Sequence, residues 1–347
     1  MSDDKLPWLG LILLAPLVAL CLVTAQAMTT IAQTSTRIGS AEIAAEVAAR
    51  AAVVMDDIQS ERSNAAALRL SIGVLSEQQY RDRMASTDRT IANLLALADL
   101  RSGGLDDEAA TSLEASLAGL ARARALGIDT EASLETTVSA YTDVLKSFMD
   151  ALALQLARTH AAERNFTTAF VLLARLHERV AIETSVGLTS FVSGEIDDSA
   201  HRVFLEAIAP QEALVQGFID LMGAHWADDL AATLHTVDPA RLKAARDALI
   251  AAGYGAALDT AHREFWREER LPVYFDLGVF RNRFAQDGVS EVLAAAQARK
   301  QAAVRTAALQ ILILLLTTGA AVIGFARLTG VKKPEDPAIA PDGAPAA

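Results

Sequence analysis

The chain has 347 residues, 52% of them apolar and only 5% aromatic, with a formal charge of −12. That acidity argues against a nucleic-acid partner, since phosphate binding needs a basic surface; a small anion is still permitted, because a local arginine pocket can oppose the global field. The single cysteine, Cys21, rules out a disulfide within the chain and leaves the redox compartment unread.

The first element is an apolar run from Trp8 to about Met28, without a charged side chain. About 20 such residues cross a hydrocarbon core of ~30 Å as a helix, so residues 1–28 are expected to form a first transmembrane helix. Leu20 stands where a lipoprotein signal at Cys21 would carry a small residue. Ala25-Gln26-Ala27 offers the rival reading of a cleaved signal, against which the acidic start and the long apolar run count.

Residues 29–305 read as helix almost throughout, with neither sustained alternation of period two nor hairpin signals. The first helix is expected to continue to about Ile72. Ser76 caps a second that ends before Ser102-Gly103-Gly104. A third spans Asp106 to Leu126 and stops at Gly127. Helices follow over 130–158, 160–192 and 199–232, the last of these kinked or split by Pro210. Another runs over 239–252 with Pro239 in its first turn. Gly253 and Gly255 mark a break. The next helix passes Trp266 and is disturbed by Pro272, and a final one starts after Asp287-Gly288. It continues through Arg305 into a second apolar run, 306–327.

The expected fold is therefore all-α: two antiparallel four-helix bundles between two transmembrane helices. The long first and last helices offer a route by which a shift in the bundles reaches the membrane. Lys5, Arg327, Lys332 and Lys333 place both termini in the cytoplasm of a bacterial inner membrane by the positive-inside rule, and the central domain in the periplasm or outside. Residues 328–347, rich in Pro, Ala and Asp, read as a disordered tail. With no output domain expected there, a signal would pass to a separate signalling protein. A homodimer is expected by analogy with receptors of this architecture, and Ala320 with Gly324 gives a small-xxx-small spacing.

Catalytic and metal signals are missing. The six histidines, His160, His177, His201, His225, His235 and His262, show no metal spacing. Glu61, Glu178 and Glu183 lack the Glu-x-x-His partner of a bundle metal site, and no G-x-S-x-G frames a serine. Neither a metal, a cofactor nor an enzyme activity is expected.

The chemistry lies in the stretch Ile58-Gln59-Ser60-Glu61-Arg62-Ser63, which follows a long helix and precedes small residues. Further stretches agree in order: Tyr80-Arg81 to Thr87-Asp88; Leu120 to Ile128 followed by Tyr141-Thr142; His177-Glu178 with Glu183; and His201, Phe204 and Gln211. Together, over about residues 45–300, they resemble the nitrate- and nitrite-sensing domain family. The resemblance implies a double four-helix bundle that binds a small oxyanion between arginines from the two bundles. Members of that family feed a kinase, a chemoreceptor domain, a cyclase or an antiterminator module.

A guanidinium is planar, always charged and offers a fork of donors, which suits a planar oxyanion edge to edge. An anion between facing arginines removes their repulsion and so favours the arrangement that holds both. Arg62 matches the first family arginine, with Gln59 one turn before it; no acid stands at helical spacing from Arg62 on its own helix, so any ion-pair partner must come from elsewhere. The second arginine position is Thr184, where the loss of a charge-assisted contact of ~1.5–3 kcal/mol weakens binding by roughly one to two decades. Arg179 is the candidate replacement, with Arg175 behind it. The expected ligand is nitrate or nitrite, or another small anion. The alternative is a degenerate sensor that binds no ligand and docks another protein.

Overall fold

The computed structural model describes residues 6–69, 76–100, 107–129, 131–157 and 161–328. Among them there is helix and no strand, so the fold class is all-α. In chain order the helices are α1 Leu6–Arg69, α2 Glu77–Leu100, α3 Asp107–Ser116, α4 Leu120–Ile128, α5 Leu134–Ala157, α6 Ala161–Ser193, α7 Asp198–Ile208, α8 Gln211–Leu221, α9 Ala224–Leu234 and α10 Pro239–Gly253. A 3-10 turn (Thr260–His262), the short α11 (Arg263–Phe265) and a π turn (Trp266–Arg270) then lead into α12, Leu271–Leu328.

Local chemistry accounts for the helix starts. Ser76 and Gln79 form a reciprocal capping box before α2: the Ser76 amide donates to Gln79 Oε1 at 2.8 Å and the Gln79 amide to Ser76 Oγ at 3.2 Å. Asp197 accepts from the Ser199 and Ala200 amides ahead of α7, and Asp238 accepts from Ala240 with Pro239 inside the first turn of α10.

Three expected boundaries are corrected. The single helix over 106–126 is two, because the chain bends at residues 117–119. Gly119 there lies against Val144 of α5, 3.0 Å from where a Cβ would sit, and both α3 and α4 pack on α5. The second of the two ends at Ile128, within one residue of the expected stop at Gly127; that glycine is buried in the last turn of α4, where the Tyr80 ring fills the space of its missing side chain. The stretch 199–232 breaks at Pro210, as read, and again at Met222-Gly223, giving α7, α8 and α9. No break occurs at Asp287-Gly288; α12 runs through it, and the glycine serves to admit the Phe166 ring. Pro272 sits in the first turn of α12, just after the π turn, which widens the helix where the proline ring would crowd the preceding carbonyl.

The described chain divides into two compact units, Met1–Thr36 with Gln297–Ala347 and Arg37–Ala296. The larger unit holds two apolar cores. One gathers residues of α1 to α6, α8, α9 and α12, including Met55, Phe148, Phe170, Phe218 and Phe284. The other joins the end of α6 to α7, α10 and the π turn through Phe191, Phe204, Leu249, Phe265 and Trp266. In the smaller unit, α12 exposes Leu309, Leu312, Ile313, Leu315 and Leu316. Among the described residues one helical stretch, Thr260–Ala320, contains a segment long and apolar enough to cross a membrane by length and composition. From Leu6 on, the backbone of the expected first span is helical; residues 1–5 and the side chains of residues 6–17 lie outside the described residues. So do the Ser102-Gly103-Gly104 break, the expected starts at Thr130 and His160, and residues 329–347 of the tail.

Trp266 packs directly over Gly187. Gly187→Ala should lower stability, because overpacking of about 1–3 kcal/mol outweighs the helix propensity gained. Gly39→Ala, in open space on α1, should instead raise it by roughly 0.5–1 kcal/mol. Midpoints of thermal unfolding followed by circular dichroism check both.

Candidate functional site

Helix α6 is buried on most of its circumference between Phe170 and Thr184, so the charged residues it carries there must find partners inside the protein. Glu178 finds two on α1. Arg62 places its guanidinium fork on the carboxylate, with Nη1 at 2.5 Å from Oε1 and Nη2 at 3.2 Å from Oε2. Gln59 Nε2 donates to Oε2 at 2.7 Å. Arg62 Nη1 also donates to Thr142 Oγ1 of α5 at 3.0 Å, and the Thr142 hydroxyl passes its own proton to the Val138 carbonyl. Arg62 is only 7% exposed. Burial by itself would lower its pKa, but Glu178 more than reverses this and the net shift is upward, so the residue stays charged.

A second buried cation stands beside this pair. Arg281 of α12, fully buried, donates from Nη2 to Asp56 and to the Ala52 carbonyl, both on α1, and from Nη1 to His177 Nδ1 at 2.9 Å. His177 Nε2 lies 3.1 Å from the Tyr274 carbonyl. A carbonyl only accepts, so Nε2 carries the proton and Nδ1 accepts from the arginine: the imidazole is neutral. Burial first, then the charges of Arg281 and Arg62, hold its pKa well below the usual histidine value. Tyr274 stacks flat on the ring at 4.8 Å.

The other two glutamates are each held by a fork of their own. Glu61 of α1, fully buried, accepts from Arg124 of α4 at 2.7 and 3.1 Å and from the Tyr141 hydroxyl at 2.8 Å. Tyr141 is bonded to Tyr80 at 2.5 Å, and Arg124 extends to Asp88 at 2.7 Å. Burial raises the Tyr80 phenol to about 12. Glu183 of α6 accepts from Arg246 of α10 at 2.7 and 2.9 Å, from Arg270 of the π turn at 2.6 Å and from Gln211 of α8 at 2.6 Å. Arg124 follows Glu61 by 63 residues, and Arg246 follows Glu183 by the same 63.

The residues expected at a ligand site are thus only partly brought together. Gln59 and Arg62 converge on Glu178. Thr184 is buried two turns along α6, its carbonyl accepting from Trp266 Nε1 at 2.9 Å and its hydroxyl unpartnered among the described residues. Arg179 is half-buried, about 100° around α6 from Glu178. Arg175 pairs with Asp150 near the surface at 2.8 Å. Arg246, Arg270, Tyr274 and Arg281 had no motif to announce them. Arg124 and Gln211 did lie in stretches that pointed to the family. Among the described residues no group of three or more His, Cys, Asp or Glu side chains is placed to hold a metal ion.

These features define an all-α module with a charge-compensated polar interior. The chain belongs to the nitrate and nitrite sensing family, whose model matches residues 53–277, well over half of its length. Its fold is similar to the solved structure of the NasR transcription antiterminator, with a TM-score of 0.65 at 13% identity over 89% of this chain and 83% of that one. At that identity the likeness is one of fold. No curated protein matches the chain in sequence.

Glu183 sets an acid-stability prediction. Burial would raise its pKa, but Arg270, Arg246 and Gln211 together hold it below the usual 4.5. A carboxylate depressed in this way contributes stability above its unfolded pKa, and the contribution is lost as pH falls through the folded value. Glu183→Gln should therefore cost about 3–5 kcal/mol at neutral pH, chiefly by stranding the buried Arg270 cation. It should also lose less further stability than the native chain between about pH 5 and about pH 3; urea unfolding at each pH measures both effects.

Proposed function

We infer that this chain is a non-enzymatic, membrane-anchored, sensor-like protein that binds a small oxyanion, nitrate or nitrite, beside Arg62 and signals through a partner protein. The observation that carries the reading is the Arg62 fork. A buried, permanently charged guanidinium holds a planar anion through two nearly parallel contacts, the geometry in which it would hold nitrate. Family membership supplies the ligand class. Gln59 and Thr184 join the site in this reading: Gln59 Nε2 is a donor already turned to the Glu178 carboxylate, and the buried Thr184 hydroxyl, without a partner among the described residues, has a proton to donate. Arg179 would have to turn inward to take part.

The architecture in this reading is two antiparallel four-helix bundles over 29–305, exported, between membrane helices 1–28 and 306–327, with both termini and the tail 328–347 in the cytoplasm. Support for the two bundles is the pair of glutamate centres, one on α1 and one on α6, each with an arginine 63 residues on. Support for the second membrane helix is its exposed leucines and isoleucine. A homodimer completes the proposal by analogy with membrane receptors.

A second reading is favoured by the same site. Thr184 offers no charge, and Arg62 already has a carboxylate, so the module would be a degenerate sensor that docks another exported protein.

Calorimetry of nitrate, nitrite and chloride with the full chain in detergent tests the choice. Saturable nitrate or nitrite binding that Arg62→Ala abolishes is expected. A folded, helical protein that binds none of the three anions would leave the docking reading in its place. Membrane anchoring has its own check: the chain should stay with the membrane pellet after alkaline carbonate extraction, and a supernatant fraction would refute it.

A further inference from the structure

We propose that the Glu178 carboxylate is a tethered occupant of the anion site, which an incoming oxyanion must displace from Arg62. The proposal rests on the reading that an oxyanion binds at Arg62, and it names what controls that binding.

A glutamate carboxylate and nitrate share the features that a guanidinium recognises: a plane, a single negative charge, and oxygens spaced to take two parallel N–H bonds. Both oxygens of Glu178 are engaged by Arg62, and Gln59 adds a third donor. Its side chain is only 6% exposed and that of Arg62 8%, so no open water separates them. The other buried cation beside the pair, Arg281, is already matched by Asp56. His177, in contact with Arg281, is neutral by its hydrogen-bond geometry. Arg62, Glu178, Arg281, Asp56 and His177 therefore carry no net charge as a set. An added anion would leave this set negative unless the Glu178 carboxylate leaves Arg62 and swings out to water.

Two consequences follow. The carboxylate, held on the same chain, competes at high local concentration. Only the fraction of molecules with Arg62 free can bind, and the apparent affinity falls by that fraction. Ligands that reproduce the fork, such as nitrate and nitrite, displace Glu178 better than chloride, a sphere that cannot span both donors. Displacement also changes a bond between helices: the direct α1–α6 tie through Arg62 and Glu178 becomes one that runs through the ligand.

The test is nitrate calorimetry on the full chain in detergent with Glu178→Gln, which keeps the shape and removes the charge, and with Glu178→Asp, which keeps the charge and draws it back. Helicity of each variant is measured alongside. Glu178→Gln should bind nitrate roughly tenfold or more tightly than the native chain, Glu178→Asp should gain less, and Arg62→Ala should abolish the gain. If Glu178→Gln does not fold, Glu178→Asp decides by the same comparison. Equal affinity in the native chain and the folded variants would overturn the tethered-anion proposal and leave anion binding intact. Absence of nitrate binding in all folded forms would overturn the anion reading itself, and this proposal with it.

Discussion

A guanidinium cannot shed its charge when it is buried, and that constraint organises the interior of this protein. Taking an arginine out of water costs several kcal/mol, which only a well-placed anion with additional hydrogen bonds offsets. Arg62, Arg270 and Arg281 are each more than nine-tenths buried, and each faces a carboxylate on another helix. The pairs join α1 to α6, α6 to the π turn, and α1 to α12. Apolar packing draws these helices together without fixing how they slide, whereas forked ion pairs hold only at one register. The polar centres thus contribute uniqueness more than net stability.

In the proposed reading, the arrangement also ties ligand response to structure. A sensor needs an element with two arrangements and a ligand that prefers one of them. A bond between helices that an anion can substitute is such an element, because its making and breaking alters what holds α1 against α6. The other two glutamates are tied to more groups. Glu61 accepts directly from Arg124 and Tyr141, with Tyr80 bonded in turn to Tyr141, and the Tyr80 ring fills the gap left by Gly127. Glu183 accepts from two arginines and a glutamine.

The all-α class was legible from the sequence because it depends on local signals that survive folding: alanine-rich helical periodicity, absent hairpins, a capping residue at Ser76 and Pro239 in a first turn. The family was legible because its short motifs keep their order. Several motif residues, Asp88, Arg124, Tyr141, Glu183 and Gln211, prove to sit at the Glu61 and Glu183 centres. What the sequence did not reveal are partners distant along the chain. Glu178 lies 116 residues from Arg62, and Asp56 lies 225 from Arg281, with no local pattern to link them. Gly288 misled for a related reason. It reads as a break when only its own segment is considered, yet it stands inside a helix because a ring from another helix needs the space.

The π turn at Trp266–Arg270 takes in one residue more than an ordinary helical turn. With it, Trp266 meets Gly187 on one side while Tyr274 and Arg281 meet His177 on the other. Its wider winding covers about the same rotation as an α-helical turn with one residue fewer, so deleting one residue here would let the helix relax to ordinary winding with little change of phase beyond it. Arg281 would still face Asp56, and Gly278 the His177 imidazole that it admits, whereas a residue lost between Leu271 and Gly278 would turn both by about 100°. The π turn is accordingly where a one-residue change of length is most easily absorbed.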